Sequence, residues 1–205
     1  MTRIPLNKAQ LSREKESLAA GRRFLPALDL KRQQLMAERN RARRAAGEAR
    51  AAAERAVIEA GAAVPMLADR RIDLKGLVKV ESVRIGERNI AGVRLPVVED
   101  VRIALRPYGR FARPHWVDEV VRRLALAARL RIEAEVAERG VALLERAVTR
   151  TAQRVNLFDK VLIPQAERNI RRILVAIGDS DRAAVVGAKI AKRKRVAHES
   201  GEADA

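Results

Sequence analysis

The stretch nearest to a phosphate-cradling loop is "GDSDRAAVVGAK", residues 178–189. A nucleotide loop needs two glycines with four residues between them, then Lys and directly Ser or Thr, so that backbone N–H groups and the ammonium surround the phosphates. Here Gly178 and Gly187 are too far apart, and Ile190 follows Lys189. Gly178 is expected instead to interrupt or end a helix. His115 and His198 lie in a proline-rich stretch and a polar C-terminal stretch, without companions at metal-ligand spacing. No serine sits in a nucleophile motif. The carboxylates alternate with arginine at helical spacing, as solvated ion pairs do. No catalytic residue, cofactor-binding residue, cofactor or metal ligand is therefore predicted, and the chain is read as a non-enzyme.

Composition narrows the classes further. The 205 residues include no cysteine, which excludes disulfides and thiolate metal sites. Only Phe24, Tyr108, Phe111, Trp116 and Phe158 are aromatic, and a chain rich in Ala, Arg, Leu, Val and Glu favours long helices. With 43 Lys+Arg against 26 Asp+Glu, the net charge of +17 attracts acidic surfaces of any kind. No run approaches the ~20 apolar residues of a membrane span. "MTRIPLNKAQ" lacks the apolar core of a signal peptide. A cytoplasmic protein is expected, with no direct membrane insertion, reaching a membrane only through partners.

The elements that would position any functional residue are mostly helical. Ile4, Leu11, Leu18 and Leu25 fall seven apart, and Leu28, Leu35, Ala42, Ala49 and Ala56 form a second row. These are the a and d positions of one coiled-coil seam, interrupted at Glu14, Gly21, Arg32 and Arg39. Residues 1–64 are read as an N-terminal coiled-coil helix. In 65–116, Val83 and Ile85, then Val93, Leu95 and Val97, alternate at period two around "GERN", which predicts a β-hairpin with a four-residue loop. Pro96 confines the second strand to an edge or its own end. An irregular connection follows.

Residues 117–196 return to helix. Val141, Leu144, Val148, Thr151, Val155, Phe158, Leu162, Ala166, Ile170, Ile173 and Ile177 advance by threes and fours along one face. Residues 197–205 are read as a disordered tail. The predicted fold is mainly α: a long antiparallel two-helix coiled coil of the N- and C-terminal helices, with a small central β-hairpin at or near the turn.

One residue contradicts its surroundings. In "QRVNLFDKVLIPQAERNIRRIL" (153–174) the apolar spacing continues on both sides of Pro164. A proline there removes a hydrogen bond and clashes with the carbonyl of Lys160, costing ~3 kcal/mol or more. A new helix starting at Pro164 would need Ile163 as its N-cap, a poor one. A continuous helix kinked at Pro164, with no phase break, is the better reading. Pro26 interrupts the first helix similarly. If partner positions sum to roughly 190–200, the two prolines lie within a turn or two of each other, as paired structural hinges.

The same segment resembles the C-terminal signature of the D subunit of V-type and archaeal-type (V/A) rotary ATPases. Arg154, Val155, Asn156, Asp159, Ile163, Pro164, Ile170 and Ile173 match its order. "NIAGVRLPVV" (89–98) is similar to the family's central hairpin region, and "LDLKRQQLM" to its first-helix Lys-Arg segment. The surroundings of Pro26 and "AIGDSDRAAVVGAK" depart from the family pattern, and helix continuity is in question at both. The resemblance implies a central stalk rotor subunit that transmits torque between the catalytic hexamer and the membrane ion-translocating ring. It implies no nucleotide site, and as partners the catalytic and non-catalytic hexamer subunits, the small F stalk subunit and the funnel-shaped subunit above the ring. Arg41, Arg43, Arg44, Lys189, Lys192, Arg193, Lys194 and Arg195 are candidate partner contacts, chosen by position and charge.

The alternative is a basic coiled-coil adaptor for nucleic acid or a secretion apparatus. "RNRARR" (39–44) and "KIAKRKR" (189–195) could neutralise phosphates. The near absence of interleaved aromatics for base stacking makes nucleic acid the weaker reading.

Overall fold

The computed structural model describes residues 4–63, 76–106 and 116–201. In chain order these form α1 (Lys8–Ala63), β1 (Val78–Ile90), β2 (Val93–Leu105), α2 (Trp116–Leu157), a π-turn (Phe158–Leu162) and α3 (Ile163–Gly201). The fold is mainly α with a two-stranded antiparallel hairpin between the long helices. The expected connections around 64–75 and 107–115, His115 included, lie outside the described residues.

Asn7 starts α1. Its Oδ1 accepts a hydrogen bond from the Gln10 N–H at 2.8 Å, satisfying one of the free donors of the first turn. The helix then runs through Pro26 to Ala63 without a break. Its inward positions alternate by threes and fours: Leu11, Glu14, Leu18, Gly21, Leu25, Leu28, Arg32, Leu35, Arg39, Ala42, Ala46, Ala49, Ala53, Ala56 and Ala60 are all buried or half-buried. Glu14, Gly21, Arg32 and Arg39 are thus members of the seam rather than gaps in it. The long side chains lay their stems along it, and glycine contributes only backbone.

The chain divides into two packing units. One comprises Leu30–Thr151. Within it Arg43 pairs with Glu145 (Nε to Oε1, 2.9 Å), and Arg50 Nη1 lies 4.0 Å from Glu138 Oε1. Moving from 43 to 50 on α1 moves the partner from 145 to 138 on α2, so the helices are antiparallel. Alanine at 46, 53, 60, 127 and 134 supplies small buried positions along this pair.

The hairpin belongs to the same unit. Its turn is Ala91–Gly92, with φ of 50° and 81°, and the Gly92 N–H donates to Asn89 Oδ1 at 2.9 Å. Two consecutive positive φ values match a two-residue turn whose twist suits the strands. The expected four-residue loop at "GERN" is therefore corrected: Gly86, Glu87, Arg88 and Asn89 are paired strand residues opposite Val97, Pro96, Leu95 and Arg94. Pro96 is tolerated because both strands of a two-stranded sheet are edges. Irregularities between Val80 and Ser82, and between Arg84 and Ile85, shift the register twice.

A lone hairpin is marginal in water, and this one is anchored at both ends. At the tip, Leu95 packs with Leu35 of α1 and Leu144 of α2, flanked by Ile90 and Val93. At the base, Leu77 and Val78 pack on Trp116, Val117 and Val121 at the start of α2. The tip thus reaches back to mid-helix, well away from the turn end where the sequence places the hairpin. Full burial of Leu144, at 0% exposure, stabilises by roughly 1.5–3 kcal/mol.

The other unit comprises Met1–Asp29 and Ala152–Ala205. Here Val155, Ala166 and Ile173 are buried, at 8, 5 and 0% exposure. Between them the helix changes pitch. The Ile163 N–H donates to the carbonyl of Phe158, five residues back, and both flanking residues keep helical torsions. The chain therefore passes Pro164 without a break in helix. The expected unbroken phase is corrected. Leu162 is 42% exposed, and Ile163 occupies the seam instead. The step from Phe158 to Ile163 is five residues, because the π-turn accommodates one extra.

Helix also continues through Gly178 and Gly187 to Gly201. Gly178 does not end it, and the helix extends into the stretch read as tail.

Candidate functional site

Segment 178–189, the phosphate-loop candidate, is entirely α-helical. It cannot form a loop of converging backbone N–H groups. Among the described residues no group of three His, Cys, Asp or Glu could hold a metal ion. No helix among them is long and apolar enough to cross a membrane.

The signature residues fall into two faces of the second helix. Val155, Ile163, Ile170 and Ile173 point into packing, with Ile173 fully buried. Arg154, Asn156 and Asp159 are exposed. Pro164 is half-buried, the second residue after the end of the π-turn. Around Ile163 the fit is close: a Cβ built on Gly21 would lie 3.3 Å from Ile163 Cγ1 and 3.7 Å from Phe158 Cδ1. Arg22, the next residue, donates from Nη2 to Glu167 Oε1 at 2.7 Å. The sequence treats Gly21 as a lapse in the seam; extending the seven-residue frame backwards from Leu28 would have found it.

Two of the basic candidates form ion pairs with nearby glutamates. Arg41 is held by Glu38 at 2.6 Å and Arg43 by Glu145, both on the surface. Arg44 and Lys189, Lys192, Arg193, Lys194 and Arg195 are exposed. Arg41, Arg43 and Arg44 belong to one packing unit and the 189–195 run to the other.

A surface groove of about 640 Å³ lies on the larger unit, lined by Arg50, Val57 and Ile58 of α1 and by Arg131, Glu135 and Glu138 of α2, among others. Val57 and Ile58 are 58 and 70% exposed. The Arg50 guanidinium is held above its ordinary pKa, first by its hydrogen bond to Glu54, then by the charges of Glu54 and Glu138. The groove shows alternating charges over an alanine floor, with no nucleophile and no histidine. Sequence reasoning passed over it, since Val57 and Ile58 sit outside the seam positions.

Antiparallel helices bridged by exposed ion pairs, with an anchored two-stranded hairpin, define a mainly α helical-hairpin fold. The family profile for the ATP synthase D subunit matches residues 10–193, and the chain belongs to that family. It is 32% identical to the V-type ATP synthase D subunit of Borreliella burgdorferi over 192 residues, covering 94% of this chain and 95% of the relative. The V-type ATP synthase D subunit of Chlamydia muridarum is 31% identical over 202 residues, covering 96 and 98%. That of Chlamydia caviae is 32% identical over 198 residues, covering 94% of each.

Proposed function

We propose that this chain is the central stalk rotor subunit of a V/A-type rotary ATPase, transmitting torque between a catalytic hexamer and a membrane ion-translocating ring. The observation that carries the reading is family membership across residues 10–193. The structure is in keeping with it. A torque-bearing part needs long elements whose cross-contacts are distributed, and the seam from Leu11 to Ala60 is of that kind. In this role the chain is non-catalytic and peripheral to the cytoplasmic face of the membrane. Its partners are the catalytic and non-catalytic hexamer subunits, the small F stalk subunit and the funnel-shaped subunit above the ring.

The proposed contacts narrow on the structure. Arg41 and Arg43 are engaged within the chain by Glu38 and Glu145, and the exposed Arg44, Lys189, Lys192, Arg193 and Lys194 are the contacts proposed for acidic walls of the bore. The adaptor reading gains nothing from family membership.

The test is affinity purification of the tagged chain from its own organism in mild detergent. Recovery of the hexamer subunits, with ATPase activity that depends on this chain, supports the reading. Recovery of nucleic acid or a secretion complex without them overturns it.

A further inference from the structure

We propose that the Gly21–Pro26 stretch of α1 and the Phe158–Pro164 stretch opposite it form a yielding joint, the place where the helix pair deforms first under torsion. The torsional load rests on the stalk reading; the local weakness does not.

Backbone defects on both helices coincide there. Pro26 has no N–H, so the carbonyl of Arg22 loses its usual helical donor, and Pro164 removes a donor in the same way. Gly21 packs against Ile163, the neighbour of Pro164. Pro26 follows Gly21 by five positions and Pro164 follows Ile163 by one in the opposite direction, so at ~1.5 Å per residue the two prolines lie roughly 9 Å apart along the helix axes. The pairing of the hinges, expected from register alone, thus gains a contact that supports it.

None of Phe158–Leu162 is buried, whereas Val155 and Ala166 on either side are. The facing seam position is a glycine, which offers no side chain. Local opening is easiest where buried contacts and ladder hydrogen bonds are fewest.

The extra residue of the π-turn is also unnecessary for packing. A chain one residue shorter between Phe158 and Ile163 would place Ile163 four positions on, at ordinary α spacing, with Ala166, Ile170 and Ile173 in their present seam. The turn therefore retains an insertion and a lost donor that the seam itself does not require. Such π-turns concentrate at functional sites. A joint of this kind takes up twist locally and leaves the seam on either side undisturbed.

Amide hydrogen exchange on the isolated full-length chain tests the weakness. Amides of 159–165 are expected to exchange about 10-fold or more faster than those of 148–155, as a local opening unit does. A variant combining Pro26→Ala, Pro164→Ala and deletion of Val161 is expected to abolish the contrast. Equal exchange of the two segments in the unaltered chain overturns the joint, whatever the variant does. In the assembled ATPase, the variant is expected to narrow the angular fluctuation of the shaft; loss of the exchange contrast with unchanged fluctuation overturns the torsional role. Failure of the unaltered chain to assemble with the hexamer overturns the stalk reading instead, and the exchange result still decides the joint.

Discussion

Gly21 and Ile163 meet so closely that a single carbon added to the glycine would sit 3.3 Å from Ile163 Cγ1. The π-turn delivers Ile163 to the seam, and the missing side chain of Gly21 makes room for it. A larger residue has no such room. Gly21→Leu is expected to destabilise the chain by about 1–3 kcal/mol through overpacking, more than offsetting its gain in helix propensity. Urea unfolding followed by circular dichroism reads this as a lower midpoint; an unchanged or raised midpoint would show that Ile163 does not fill the notch.

The neighbouring apolar residues at the turn should respond unequally. Ile163→Ala is expected to cost about 1–3 kcal/mol, because it empties a packed position, whereas Leu162→Ala should cost under about 1 kcal/mol. Equal losses in paired melts would mean that Leu162, not Ile163 alone, holds the seam.

This pair also shows where sequence reading stops. The seven-residue frame of α1 was legible from Leu11 to Ala56, because leucine and alanine repeat at coiled-coil spacing. At "VLIP" three apolar residues stand in a row, so steps of four and of five both land on an acceptable side chain. Only the backbone hydrogen bond from Ile163 to Phe158 decides. "GERN" misled for a related reason. Glycine and asparagine usually mark loops, yet here Gly86 is a strand residue and Asn89 braces a turn whose first member is alanine. The groove at Val57 and Ile58 was not legible at all, because it arises from tertiary placement.

The Ala91–Gly92 turn offers a stabilising change. Ala91 has φ of 50°, a left-handed conformation that costs an L-residue roughly 1–2 kcal/mol. Ala91→Gly is expected to recover about 0.5–1 kcal/mol, whereas Gly92→Ala should lose about as much. Differential scanning calorimetry would show melting temperatures moving in opposite directions; movement in the same direction would refute the assigned turn.

At the hairpin tip, Leu144→Ala should cost about 2–5 kcal/mol. It should also release the hairpin, since Leu144 is the floor on which Leu95 and its neighbours sit. Hydrogen exchange at Ile90–Leu95 is the discriminating measurement. Loss of global stability with full protection retained there would mean that the tip is held by some other contact.

The exposed ion pairs should matter far less. Arg43→Ala, which removes the contact with Glu145, is expected to cost under about 1 kcal/mol, with a difference that shrinks further in high salt. A loss of several kcal/mol would mark the pair as a structural lock.

The cluster of Leu35, Leu95 and Leu144 bears on how the chain reaches its native state. Its three members come from widely separated parts of the sequence, and joining the two helices directly would require closing one very long loop. Leu95 divides that loop into two of similar length. Because closure entropy grows only slowly with length, the gain lies less in the total cost than in its order: the hairpin forms from neighbouring residues and then presents one docked surface to both helices. Antiparallel pairing of α1 and α2 is thus expected to follow hairpin formation in time, and substitutions at Leu95 should slow refolding more than they speed unfolding.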